Sequence, residues 1–122
     1  MDERSYTQVR GCIDKAEHIL CIDLDDKPLA VALKAFNWLK SKYGDRFLLL
    51  ETSPNHYHII SKDFMDFDQA IRIARSCRWN SKAYLKLCER MHCFPRRISA
   101  KLIFNRNHVQ VKPKPHLLLM DK

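Results

Sequence analysis

Four residues on two short apolar runs have the types and spacing that do chemistry. Ile22-Asp23-Leu24-Asp25 sets two carboxylates one residue apart, and His56-Tyr57-His58 does the same with two imidazoles. In an extended chain alternate side chains share a face, so Asp23 goes with Asp25 and His56 with His58. Paired carboxylates suit Mg2+ or Mn2+, because hard cations take oxygen ligands. An ion held there activates an attacking oxygen and stabilises a leaving phosphate in an in-line displacement. The competing reading is that acids at a strand end merely cap the next helix. It accounts for Asp26 and Asp25 but not for Asp23, which lies inside an apolar strand. For the histidines a metal site, a phosphate contact and plain packing all stay open.

The elements that must position these residues follow from periodicity. Residues 3–16 read equally as a short amphipathic helix or an edge strand. His18 to Asp25 is a strand. Asp26 as N-cap, Pro28 in the first turn and Gly44 at the C-terminus bracket a helix. Its buried stripe is Leu29, Ala32, Leu33, Phe36, Leu39 and Tyr43. Arg46–Thr52 and His56–Ser61 form a hairpin around Ser53-Pro54-Asn55. Asp66-x-x-Gln69 is a capping box opening a helix to about Arg78, and Asn80-Ser81 separates it from a second helix ending near His92. Arg97 to Phe104 alternates as a strand, Asn105-Arg106-Asn107 turns, and strands over 109–112 and 116–121 close the chain.

That order predicts one α+β domain over 1–122, an RRM or ferredoxin-like β-α-β-β-α-β sheet with a short C-terminal β extension. Helices are expected on one face only. The open face would then gather Asp23 and Asp25, His56 and His58, and, from the fourth strand, Arg97, Ser99 and Lys101.

Composition sets the outer limits. At 46% apolar and 30% charged, the 122 residues suit a folded domain, not a disordered one. No apolar run approaches the roughly 20 residues of a membrane span, and the polar Met1-Asp2-Glu3-Arg4 start does not fit a secretory signal, so a cytoplasmic, non-membrane protein is expected. Five cysteines without a CxxC favour buried thiols over disulfides. Cys88, His92 and Cys93 lack a clear fourth partner for zinc and read as packing. The net charge of +8 is uneven: residues 1–61 hold 8 Lys/Arg against 9 Asp/Glu, residues 62–122 hold 14 against 5. A polyanion docking on the C-terminal half is the expectation, with Arg72, Arg75, Arg78, Lys82 and Arg90 as a salt-sensitive nucleic-acid surface.

Ile22-Asp23-Leu24-Asp25 resembles the first motif of the archaeo-eukaryotic primase (primase–polymerase) superfamily. Ser53 followed by His58 resembles its second, and Arg97-Ile98-Ser99-x-Lys101 resembles a segment of small primase-like domains. The resemblance spans about residues 17–104. It implies metal-dependent nucleotidyl transfer in DNA replication on a single-stranded DNA or RNA template. Asp23 and Asp25 would hold Mg2+ or Mn2+, and His58 with Ser53, Arg97, Ser99 and Lys101 the nucleotide phosphates. Asp121 or Glu51 would be the third acid, and other replication proteins would be partners. The glycines usual in the second motif are here Pro54, Asn55 and His56.

His56-Tyr57-His58 also resembles the His-hydrophobe-His motif of HUH endonucleases, found in single-strand transposases and rolling-circle initiators. That likeness implies one metal on His56 and His58, with Tyr84 attacking the phosphodiester. Tyr84 falls on one helical stripe with Leu87, Cys88 and Met91, which reads equally as core. A third reading is a non-catalytic nucleic-acid-binding accessory protein.

Overall fold

The computed structural model describes residues 8–10, 12–14, 17–97, 101–104, 109–112 and 115–120. In chain order the elements are β1 (Gln8–Arg10), β2 (Cys12–Asp14), β3 (Glu17–His18), β4 (Cys21–Asp25), α1 (Leu29–Tyr43), β5 (Phe47–Ser53) and β6 (His56–Ser61). Then come α2 (Phe67–Ser76), α3 (Lys82–Met91), β7 (Pro95–Arg97), β8 (Lys101–Phe104), β9 (Val109–Lys112) and β10 (His116–Met120). The architecture is α+β. Among the described residues no helix is long and apolar enough to cross a membrane.

Four strands make an antiparallel sheet in the order β10-β5-β6-β4. β6 is antiparallel to both β4 and β5, so β4 and β5 run the same way with β6 between them and α1 as the crossover. This split β-α-β unit is the first half of the expected topology. The second half differs. Arg97–Phe104 does not lie beside β4 as a fourth strand: its ends belong to β7, paired with β1, and β8, paired with β9. Residues 98–100, and the expected turn at 105–107, lie outside the described residues. The fourth strand is β10, on β5 at the far edge of the sheet.

The displacement has two physical causes. β5 opens with Phe47-Leu48-Leu49-Leu50, apolar on both faces, and so favours an interior place with a neighbour on each side. The apolar run Leu117–Met120 supplies that neighbour, pairing Leu117 with Leu50 and Met120 with Leu48. The free edge of β4 is already taken. Asp23 N–H donates to Asn80 Oδ1 at 3.0 Å, and Asp23 C=O accepts from Ser81 N–H at 2.8 Å. The turn between α2 and α3 occupies the position a strand would need.

Because that turn wraps the β4 edge, the helices divide between the faces, against the expectation of one covered face. On one side Tyr43 of α1 meets Phe47 edge-on and its hydroxyl hydrogen-bonds Ser76 of α2. Leu20, Ile22, Leu24, Phe47, Leu49 and Ile59 are fully buried there, over Ala32, Ala35, Phe36 and Leu39. On the other side α3 lies over part of the face expected to be open, with Tyr84 stacked against His58 at 6.5 Å.

Many local signals hold, but the expected strand over His18–Asp25 divides, with His18 in β3 beside β2 and Cys21–Asp25 in β4. Asp66 caps α2 by accepting from Gln69 N–H at 2.8 Å, and Ser81 caps α3. Asp26, however, does not cap α1. It sits in the left-handed region at φ 55, and Pro28 takes the cap position without a side-chain bond. Leu29, expected in the buried stripe, is exposed as the first residue of the helix. Residues 8–10 and 12–14 are strands.

Asn80 is 7% exposed, and its amide also donates to Ala74 C=O at 3.2 Å, joining β4 to the end of α2. Asn80→Ala leaves the Asp23 N–H without that acceptor. It should lower stability by about 1–3 kcal/mol, read as a lower urea midpoint at unchanged slope.

Candidate functional site

The β4–β6 register sets Asp23 opposite His58 and Asp25 opposite His56. Asp23 turns both backbone groups outward to Asn80 and Ser81, so its pairing with His58 is the non-hydrogen-bonded kind, in which opposed side chains approach most closely. Asp23 Oδ1 lies 3.5 Å from His58 Nε2. One step along, Asp25 Oδ1 hydrogen-bonds His56 Nδ1. The face therefore carries two acid–imidazole rungs in register, assembled from segments more than thirty residues apart.

The outer rung is open to solvent and is extended by a third group. Asp26 Oδ1 lies 3.6 Å from His56 Nε2. Two left-handed residues make this possible, Asp26 at φ 55 and Asn55 at φ 63. Acidic and amide side chains tolerate that region better than most. Lys27 N–H donates to Asn55 C=O at 3.0 Å and fastens the two turns together. Asp25, Asp26 and His56 thus offer ligand atoms all within 4.8 Å of one another. Two carboxylate oxygens and one imidazole nitrogen suit a divalent cation such as Mg2+ or Mn2+, the nitrogen favouring Mn2+.

The inner rung is enclosed by α3. His58 has a 14% exposed side chain, with the Tyr84 ring stacked on it. Burial works against a charged ring here. The Cys21 sulphur and the Asp23 carboxylate outweigh it, and the His58 pKa is raised to about 10. The shift favours the protonated ring at His58, beside the acids. Its Nδ1 is buried without a hydrogen-bond partner among the described residues. Tyr84 donates its hydroxyl to Pro95 C=O at 2.7 Å, and burial, with the Cys21 and Cys88 sulphurs nearby, raises its pKa. Burial likewise pushes the Cys88 thiol up to about 12. Cys88 and Cys93 are core residues, and His92 stacks on Phe67 at 3.8 Å.

Several expectations about the site change. Of the expected metal set of Asp23, Asp25 and Asp121, Asp23 has its carboxylate toward His58, and among the described residues Asp26 and His56 lie with Asp25. Asp121 lies outside the described residues. Glu51 is opposite Tyr57, on the other face of the sheet. Ser53 is buried across from His56 at the hairpin bulge. Arg97 and Lys101 sit in β7 and β8, neither of which pairs with β4, because that edge is filled by Asn80 and Ser81. Ser99 lies outside the described residues. His56 and His58 do not share one ligand set; each has its own acid. Sequence reasoning missed Asp26 as a donor, although an Asp-Asp pair followed by Lys-Pro is a turn signal.

The raised His58 pKa fixes a pH dependence. Its folded value lies above the unfolded value of about 6.5. Its contribution to stability is therefore complete below that pH and is lost as pH climbs toward 10. In metal-free buffer the urea midpoint should fall between pH 6.5 and 10, and Asp23→Asn should flatten that fall. An equal decline in the variant would show that the rung is not the cause. Comparison of the chain with protein-family models, with curated proteins and with solved structures gave no match.

Proposed function

We propose that this chain carries out metal-dependent nucleotidyl transfer of the primase–polymerase kind on a single-stranded DNA or RNA template. The observation that carries the reading is the pair of acid–imidazole rungs on one sheet face, one solvent-open and one enclosed. The split unit β4-α1-β5 with β6 carries the first two of the motifs that resemble that superfamily, Asp23 with Asp25 and Ser53 with His58. Asp25, Asp26 and His56 are the residues that would hold Mg2+ or Mn2+. A bound ion at such a site supplies Lewis-acid stabilisation of charge on phosphate oxygens. His58 has its Nε2 against Asp23 and its Nδ1 buried beneath Tyr84. Its part in this scheme is a raised-pKa ring behind the acids that favours phosphate charge at the face, not a direct hydrogen bond to the nucleotide. Asp23 is a positioning residue in this scheme, since its carboxylate is turned to the imidazole.

One observation favours the endonuclease alternative: α3 brings the Tyr84 ring over His58. The hydroxyl itself argues the other way. It is engaged by a backbone carbonyl and held protonated by burial, which is the reverse of an activated nucleophile. The two histidines on separate acids also depart from a single shared metal.

The test is nucleotide incorporation on single-stranded DNA with Mn2+ or Mg2+. Asp25→Asn should reduce it by about 100-fold, while Tyr84→Phe should leave it within a few-fold of the parent. Mn2+ should broaden the His56 ring resonances, and Asp25→Asn should abolish the broadening. A covalent protein–DNA adduct that disappears in Tyr84→Phe would replace this reading with the endonuclease. Salt-sensitive binding with neither product would leave an accessory role.

A further inference from the structure

The helical side of the molecule, behind the acid–imidazole face, carries a row of aromatic rings and cations at the junction of α1 and α2. Trp38 and Tyr43 belong to α1, and Trp79 follows α2. Trp38 meets Trp79 edge-on at 6.0 Å and Tyr43 at 6.4 Å. All three are only partly buried. Lys42 Nζ lies 4.9 Å from the centre of the Trp38 ring, and the Arg78 guanidinium 4.5 Å from that of Trp79. Beyond Tyr43 opens a pocket of about 250 Å3 lined by Tyr43, Arg46, Gln69, Arg72 and Ile73.

Packing of α1 on α2 explains why the rings touch one another. It does not explain why each end of the row is crowned by a cation and why the adjoining pocket has two guanidinium groups. A pocket of this size is below the roughly 300–1,000 Å3 of sites that engulf a whole small molecule. It is suited to a phosphate with part of its sugar. The combination calls for a ligand presenting flat π faces and negative charges by turns. An acidic peptide supplies the charges without the faces. A single nucleic-acid strand supplies both, since every base can stack and every linkage is charged.

We propose that this surface binds single-stranded nucleic acid, with a backbone phosphate at Arg72, beside Arg46, whose guanidinium lies 3.6 Å from the Asp63 carboxylate, and bases stacked against Trp38 and Trp79. The site stands on its own observations and does not depend on the chemistry proposed for the sheet face, although it would serve that chemistry as a hold on the template.

Trp38 and Trp79 are the two tryptophans of the sequence, so tryptophan emission, excited selectively over the four tyrosines, reports on this surface. Titration with oligo(dT) should quench it saturably, with an affinity that falls steeply as salt rises. Arg72→Glu, an exposed change with circular dichroism as the check on folding, should weaken binding by about tenfold or more, and Arg72→Gln by less. Oligonucleotide binding seen by anisotropy without a tryptophan response would overturn the site. So would an equal quench by poly-glutamate of the same charge, an undiminished affinity in Arg72→Glu, or no binding. Quenching that persists in a protein unable to incorporate nucleotides would support this surface while removing the catalytic reading. Incorporation without quenching would do the reverse.

Discussion

Two hydrogen bonds to the backbone of Asp23 determine much of what is distinctive in this fold. By meeting the outward N–H and C=O of β4, Asn80 and Ser81 close the edge where a ferredoxin-like sheet would place its last strand. A buried amide or carbonyl left without a partner costs on the order of 1–3 kcal/mol. The turn must therefore either stay in place or be replaced by another strand. It stays because Asn80 is anchored from the other side, through its bond to the carbonyl of Ala74 at the end of α2. The same clasp sends α3 over the second face, and so encloses one of the two acid–imidazole rungs.

The contrast between those rungs is a matter of solvent. Both pair an aspartate with a histidine across the same two strands. Yet His58 is covered by Tyr84 and its pKa is raised, whereas Asp25 and Asp26 are exposed around His56. In a covered setting a lone imidazolium would be costly, and the carboxylate beside it is what makes the charge tolerable. In the open setting carboxylates keep exchangeable water and remain available to a cation. One strand pair has produced a covered acid–imidazole pair and a solvent-open one a single register step apart.

Much of this was readable from residue types and spacing. Alternation in Cys21–Asp25 and His56–Ser61 assigned Asp23, Asp25, His56 and His58 to one face, and the helix-plus-hairpin order made the two strands neighbours. The capping of α2 by Asp66 followed from its Gln69 partner three residues on. What could not be read was which edge the last strand would choose. Alternation in Arg97–Phe104 shows two faces but not a neighbour, and the decisive group is a side-chain amide, Asn80, whose type suggests nothing more than a turn. The left-handed turn at Asp26 was hidden for a similar reason: an aspartate before Lys-Pro suits an N-cap as well as a bend, and only the bond from Lys27 to Asn55 decides between them.

The closed edge of β4 limits where this sheet could be extended. A sheet edge with unmet backbone groups is a template for further strands, and natural sheets block such edges with charges, prolines or coverings. Here the covering is spent on one side. The opposite edge strand, β10, has β5 as its partner among the described residues, and its Leu117 and Leu118 are 49% and 39% exposed. Among the described residues, a strand added to this sheet would have to join at β10, on the side away from the acids and histidines.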